Sequence, residues 1–210
     1  MSLLLVLPGF ALTALLLAVV PGQGVAMILR QSLIGGRRCA LISVLGNTTG
    51  LLVWGLASSI GLSAVFAHSP LAYNILKYLG VTYLSVLAIR TLFELRNVAG
   101  KFDFNGTAQT SSWSAYRLGL FTNLTNVKAA VFAVAFIPQF VPKGFALAPG
   151  IMILAAVQSM VSTSWYFTLI AGIGRAEKWL SQPKVRRWLT GFSALGILFL
   201  AVVLLLSSSR

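Results

Sequence analysis

Long apolar stretches along this chain are separated by short basic or polar gaps. Six stretches are long enough to cross a bilayer, which takes about 20 mostly apolar residues. They run roughly over 3–29, 40–66, 71–93, 117–141, 147–173 and 188–207. Pro70 and Pro142 mark two of the turns, and residues 97–116 (NVAGKFDFNGTAQTSSWSAY) are the only long polar linker. The pattern predicts an all-α integral membrane protein, a single membrane domain over 1–210 with six transmembrane helices. Three helices fall in residues 1–96 and three in 117–210. Halves of three spans enter the membrane from opposite sides, so a repeat relating them would be inverted. Residue identity between the halves is slight, and the three-plus-three reading rests on span count and linker position.

Composition agrees with lipid. Hydrophobic residues make up 58% of the chain, charged residues 9%, and mean hydropathy is +0.90. A soluble domain is about one quarter charged. The net charge of +13 raises nucleic acid as a partner. A nucleic-acid binder gathers its basic residues on one soluble face; here they fall in the gaps between spans, so no nucleic acid is expected. Arg30, Arg37, Arg38, Arg90, Arg96, Lys101, Arg117, Arg175, Lys178, Lys184, Arg186 and Arg187 all lie in or beside odd-numbered loops. Only Lys77, Lys143 and Arg210 lie on the other side. By the positive-inside rule the odd loops and the 97–116 linker are cytoplasmic and both termini face outward. The N-terminus has no basic region before its apolar run, which reads as a mature first helix rather than a cleaved signal.

Little classical site chemistry is available. The single Cys39 excludes an internal disulfide, and the single His68 excludes a histidine metal site. The three acids, Glu94, Asp103 and Glu177, fall at loops. An intramembrane enzyme needs a nucleophile–base pair or a metal cluster. No catalytic residue, metal or cofactor is therefore expected.

Two irregular places remain inside the spans. The first is Pro21-Gly22-Gln23-Gly24. Proline removes a backbone donor and glycine tolerates unusual dihedrals, so the first helix should kink or unwind there. This is either a packing kink or a broken helix whose freed backbone binds substrate, since unpaired backbone is tolerated only against protein or a wet cavity. The second is TNLTNVKAAVF (122–132). Lys128 lies eleven residues after Arg117, about 16 Å along a helix and near the middle of a core about 30 Å thick. Gly22, counted back from Arg30, reaches a similar depth of about 12 Å. A lysine at the bilayer centre costs about 2.5–3.5 kcal/mol, whereas each Leu, Ile, Phe or Val returns only about 0.3–0.6. Snorkelling from that depth is poor. A substrate carboxylate, backbone carbonyls or cavity water must compensate. On a straight helix Lys128 projects about 160° away from Asn126. Either both sides of the helix are buried or the backbone turns near Asn126.

Other positions carry weaker signals. Gly46 and Gly50 form a small-residue pair suited to close helix packing. Gln158, Ser162, Trp165 and Tyr166 share one face of the fifth span, and Asn47 and Trp54 on the second are similar candidates. Trp113, Tyr116, Trp179 and Trp188 flank spans beside basic loops, as interfacial anchors do.

At these motifs the chain resembles the lysine exporter (LysE/RhtB-type) family of bacterial amino-acid exporters. PGQG (21–24), RQSLIGGRRCAL (30–41), the glycines 46, 50 and 61, LKYLGVTYLSVLAIR (76–90) and NVKAAVFAVAFIPQF (126–140) occur in the family's order and spacing. Two positions depart from the pattern: Gln23 replaces the second proline of P-G-P, and Val127 the proline of N-P-K. With valine at 127, the fourth helix has less cause to break. The resemblance implies gradient-driven export of amino acids or related small metabolites across the bacterial inner membrane.

The combined expectation is a secondary exporter binding a zwitterion near the midplane. Pro21, Gly22, Gln23, Gly24, Asn123, Asn126, Lys128 and Gln158 would form the site. Its partners would be the small-molecule substrate and the lipid bilayer, and a homo-oligomer is left open. With no carboxylate or histidine expected within a span, proton coupling would have to run through Lys128 itself. A passive small-solute channel or a structural membrane subunit is the alternative.

Overall fold

The computed structural model describes residues 3–19, 22–68, 70–94, 111–173 and 182–206. Within them the chain is helical, with no strand. Lipid offers no hydrogen bonds to the backbone, so a spanning chain must satisfy its own, and helices do this locally. Helix α1 covers Leu3–Val19, α2 Gln23–Ile34, α3 Gly36–His68 and α4 Pro70–Glu94. Helix α5 covers Ser112–Leu124, α6 Val127–Val131, α7 Leu147–Ala171 and α8 Pro183–Leu206. By length and composition, Gly36–Gly61 and Leu147–Ala171 can cross a membrane, and four spans result if α1–α2 and the Ser112–Phe140 pair each count as one. Helices occupy all six predicted segments. Their outward faces carry large apolar side chains such as Leu4, Ile60 and Met160, each more than half exposed, as a lipid-facing surface requires.

Local chemistry sets the boundaries. Gly36 takes a positive φ of 79°, a left-handed conformation that suits glycine and turns α2 into α3. Ser111 caps α5 by accepting from the Ser114 N–H. That helix thus begins at Ser112, five residues ahead of the predicted span, and takes in the end of the polar stretch. The remainder of the linker, 97–110, lies outside the described residues.

Two of the predicted spans are bent helix pairs. The α1 and α2 axes meet at 60°, and α5 meets the Val127–Phe140 segment at 58°. At the second break, Thr125 ends α5 and Asn126 starts α6 with an extended ψ of 97°, its side chain accepting from the Lys128 N–H. The chain then widens into a π-helical turn over Phe132–Phe136 and tightens into a 3₁₀ turn over Ile137–Phe140. Pro138 has no N–H to donate back to Ala133 in a π-helical ladder. The Ser58 hydroxyl donates to that carbonyl instead, at 2.8 Å.

Contacts along α3 fix the directions of its neighbours. Thr48 bonds Thr163, and Ser59 donates to the Ala148 carbonyl, so α3 and α7 are antiparallel. Ser43 donates to the Ala115 carbonyl and Asn47 accepts from Asn123, so α3 and α5 are parallel. At the α3–α5 contact, a Cβ on Gly46 would overlap the Tyr116 carbonyl and one on Gly119 the Ser43 carbonyl. The two backbones therefore touch, as small residues permit.

The apolar interior falls into two clusters. One gathers Phe10, Phe132, Phe136, Ile137, Ile151 and Leu154. The other gathers Val25, Ile28, Leu29, Val44, Leu169 and Ile170. Along α3 and α7, a short polar layer separates the two.

Candidate functional site

That polar layer contains a cavity of about 30 Å³, room for one or two waters. Both helix breaks reach it. From the first come Leu17, Ala18, Gly22 and Gly24; from the second come Asn123, Asn126, Lys128 and Ala129. Asn47 and Leu51 on α3, and Gln158, Ser162 and Tyr166 on α7, complete most of the wall. No acidic side chain lines it among the described residues.

Lys128 is partly buried, and its Nζ donates to the Leu17 carbonyl at 3.1 Å. A helical ladder gives the carbonyl of residue i the N–H of residue i+4. For Leu17 that residue is Pro21, which has no N–H. The lysine therefore supplies a donor that the sequence withholds. Its ammonium has three N–H groups, and this bond uses one.

Opposite stands the start of α2. Gly22 is extended at φ −163°, and no side chain caps the helix. The first N–H groups of a helix have no partner within it, and they carry partial positive charge. A Cβ on Gly24 would overlap the Tyr166 hydroxyl, so glycine at 24 lets the tyrosine lie against the first turn of α2.

The amides are held from α3. Asn123 is 3% exposed and donates from Nδ2 to the Asn47 Oδ1 at 3.1 Å, while the Trp54 indole donates to the Asn123 carbonyl at 3.4 Å. A Cβ on Gly50 would sit 2.7 Å from the Asn123 Cβ, so glycine there admits the side chain. The amide oxygens of Asn123 and Gln158 are buried without a donor.

Of the residues expected from sequence, Gly22, Gly24, Asn123, Asn126, Lys128 and Gln158 come together around this cavity. Gln23 does not: its side chain is exposed at the first position of α2 and does not line the cavity. Pro21 lies outside the described residues. Trp165 packs with the cluster around Ile28 rather than lining the cavity. The turn at Asn126 reconciles the amides with the ammonium, which a straight helix would send in different directions. Leu17 was not anticipated, because a backbone carbonyl has no side-chain signature; the proline four residues later was its only sequence mark.

Two interrupted helices meeting at a polar layer, inside a bundle with an apolar exterior, point to a class: a multi-pass membrane transporter. The chain belongs to the LysE type translocator family, which it matches over residues 15–208. It is thus a transporter of the bacterial inner membrane and not an enzyme. A homoserine/homoserine lactone efflux protein of Salmonella typhimurium (strain LT2) is 35% identical over 205 residues, covering 96% of this chain and 95% of its own. A protein of the same description from Salmonella typhi is 34% identical with the same coverage. An uncharacterized membrane protein of Bacillus subtilis (strain 168) is 26% identical over 181 residues, covering 83% of this chain and 86% of its own. No solved structure matches the chain.

Proposed function

We propose that the chain is a secondary active exporter of amino acids or closely related small zwitterions, binding them at the cavity between the two helix breaks. The carrying observation is Lys128: an embedded ammonium among polar groups, beside an uncapped helix start, with no acidic partner lining the cavity among the described residues. Ion and helix end together favour an anionic group, which a substrate carboxylate supplies. The efflux proteins of Salmonella, described as exporting homoserine and homoserine lactone, support this class through homoserine, a zwitterion with the carboxylate that the lactone lacks.

The architecture we propose has six spans in two inverted halves with both termini outward. Helices α4 and α8, of 25 and 24 residues, supply the remaining two spans. Exchanging the halves preserves the pattern of packing. The first broken helix packs on α7 as the second does on α3, α4 packs on α8, and α3 packs on α7. Each half also opens with a broken helix, bent by 60° in one and 58° in the other. The passive channel is the weaker reading. The cavity of about 30 Å³ lies between two apolar clusters, a position that fits a site reached from one side at a time.

The test is export by the Lys128→Ala protein in vesicles, with membrane insertion checked in parallel. Loss of export with normal insertion is expected. Wild-type export rates from the inserted variant would overturn the role of Lys128. Gradient-dependent accumulation by the wild type separates exporter from channel.

A further inference from the structure

The donors in the cavity are accounted for by a carboxylate, but two acceptors are not. Asn123 and Gln158 are 3% and 2% exposed, and the Oδ1 of one and the Oε1 of the other are buried without any donor. Both residues line the cavity that holds Lys128. The Asn123 amide nitrogen donates to the Asn47 Oδ1, and the Asn123 oxygen has no partner. A buried acceptor without a donor is a cost to the fold. Two of them on one cavity wall can be served by water or by a ligand group with several protons to give.

We infer that the amide oxygens of Asn123 and Gln158 form an ammonium subsite, which reads the amino group of the transported molecule while Lys128 takes its carboxylate. This rests on the reading of the cavity as a zwitterion site. A hydroxyl has one proton and serves one acceptor, whereas an ammonium has three and serves both. The subsite is uncharged, and that has a consequence for selection. With Lys128 already contributing a positive charge, a ligand with a second ammonium finds no acidic partner on the described wall. Net-neutral amino acids are therefore preferred over dibasic ones. Des-amino compounds are excluded because they leave both oxygens unserved, and N-acylated ones because their single N–H serves at most one.

Purified protein in proteoliposomes tests this by counterflow. The probes are the proteinogenic amino acids, L-homoserine, and their des-amino counterparts, in which hydrogen replaces the amino group. For the best-carried amino acid, the wild type should exceed the des-amino counterpart by at least about tenfold. Gln158→Leu should reduce that ratio to within about threefold by slowing the amino acid alone. Gln158→Glu adds a charge at nearly constant shape, and it should raise lysine transport relative to neutral amino acids. Size-exclusion profiles establish that each variant is folded. Equal transport of amino and des-amino acids by the wild type would overturn the subsite while leaving the exporter reading intact. Wild-type preference for lysine or arginine, or unchanged ratios in both folded variants, would also overturn it. Transport of none of the probes would overturn both readings.

Discussion

The Lys128 ammonium donates to the Leu17 carbonyl across 3.1 Å and ties one broken helix to the other. The bond joins residues 111 positions apart, and it closes a backbone valence that a proline at 21 leaves open. It is at once a structural link and the means by which the cavity holds its charge.

Lys128→Met separates these two roles. Losing the lysine leaves the Leu17 acceptor unserved, a cost of about 1–3 kcal/mol. It also removes an embedded charge that costs about 2.5–3.5 kcal/mol on the insertion scale. The two offset, so net stability should change by less than about 2.5 kcal/mol, read as a shift of under about 10 °C in thermal unfolding in detergent. Transport should nonetheless be lost. A larger fall in stability would make the tie, and not the charge, the main role of Lys128.

Gly24→Ala should abolish transport, because its methyl would occupy the position of the Tyr166 hydroxyl. Removing that hydroxyl leaves the Tyr166 Cζ 3.3 Å from the added carbon, a contact a small shift relieves. The double variant Gly24→Ala, Tyr166→Phe should recover activity to that of Tyr166→Phe alone. Vesicle export assays on the three proteins decide it, and failure of the double variant to recover would show that the hydroxyl is not the obstacle.

Gly46→Ala and Gly119→Ala should each lower the yield of folded protein, since their methyls would meet backbone carbonyls of the facing helix. Overpacking costs about 1–3 kcal/mol where side chains can adjust, and backbone adjusts less readily. Gly61→Ala is the control, because nothing lies within 4 Å of its added carbon. Fluorescence-detected size exclusion should show loss for the first two and a wild-type profile for the third.

The sequence made some of this legible for identifiable reasons. Long apolar runs located the helices because lipid demands them. The first break was readable at Pro21 to Gly24, where both residue types disrupt helices. The second was ambiguous: helix geometry allowed a turn near Asn126, but Val127 stands where the resembled family has a proline. What breaks the helix there is the Asn126 side chain, which caps a new helix by accepting from the Lys128 N–H. Asparagine is common enough that its capping role shows only in three dimensions. Gln23 is adjacent in sequence to Gly22 and Gly24, yet its side chain is exposed and does not line the cavity. The Asn47–Asn123 pair was unreadable because it joins residues 76 positions apart.

Val127 has one more consequence. A helix interrupted by proline is interrupted permanently, because the missing N–H cannot be restored by any motion. Residue 127 keeps its N–H, and the interruption at Asn126 is held by a cap whose net strength is about 0.5–1.5 kcal/mol. The second elbow is therefore held by a side-chain hydrogen bond, whereas at the first the sequence itself withholds a backbone donor.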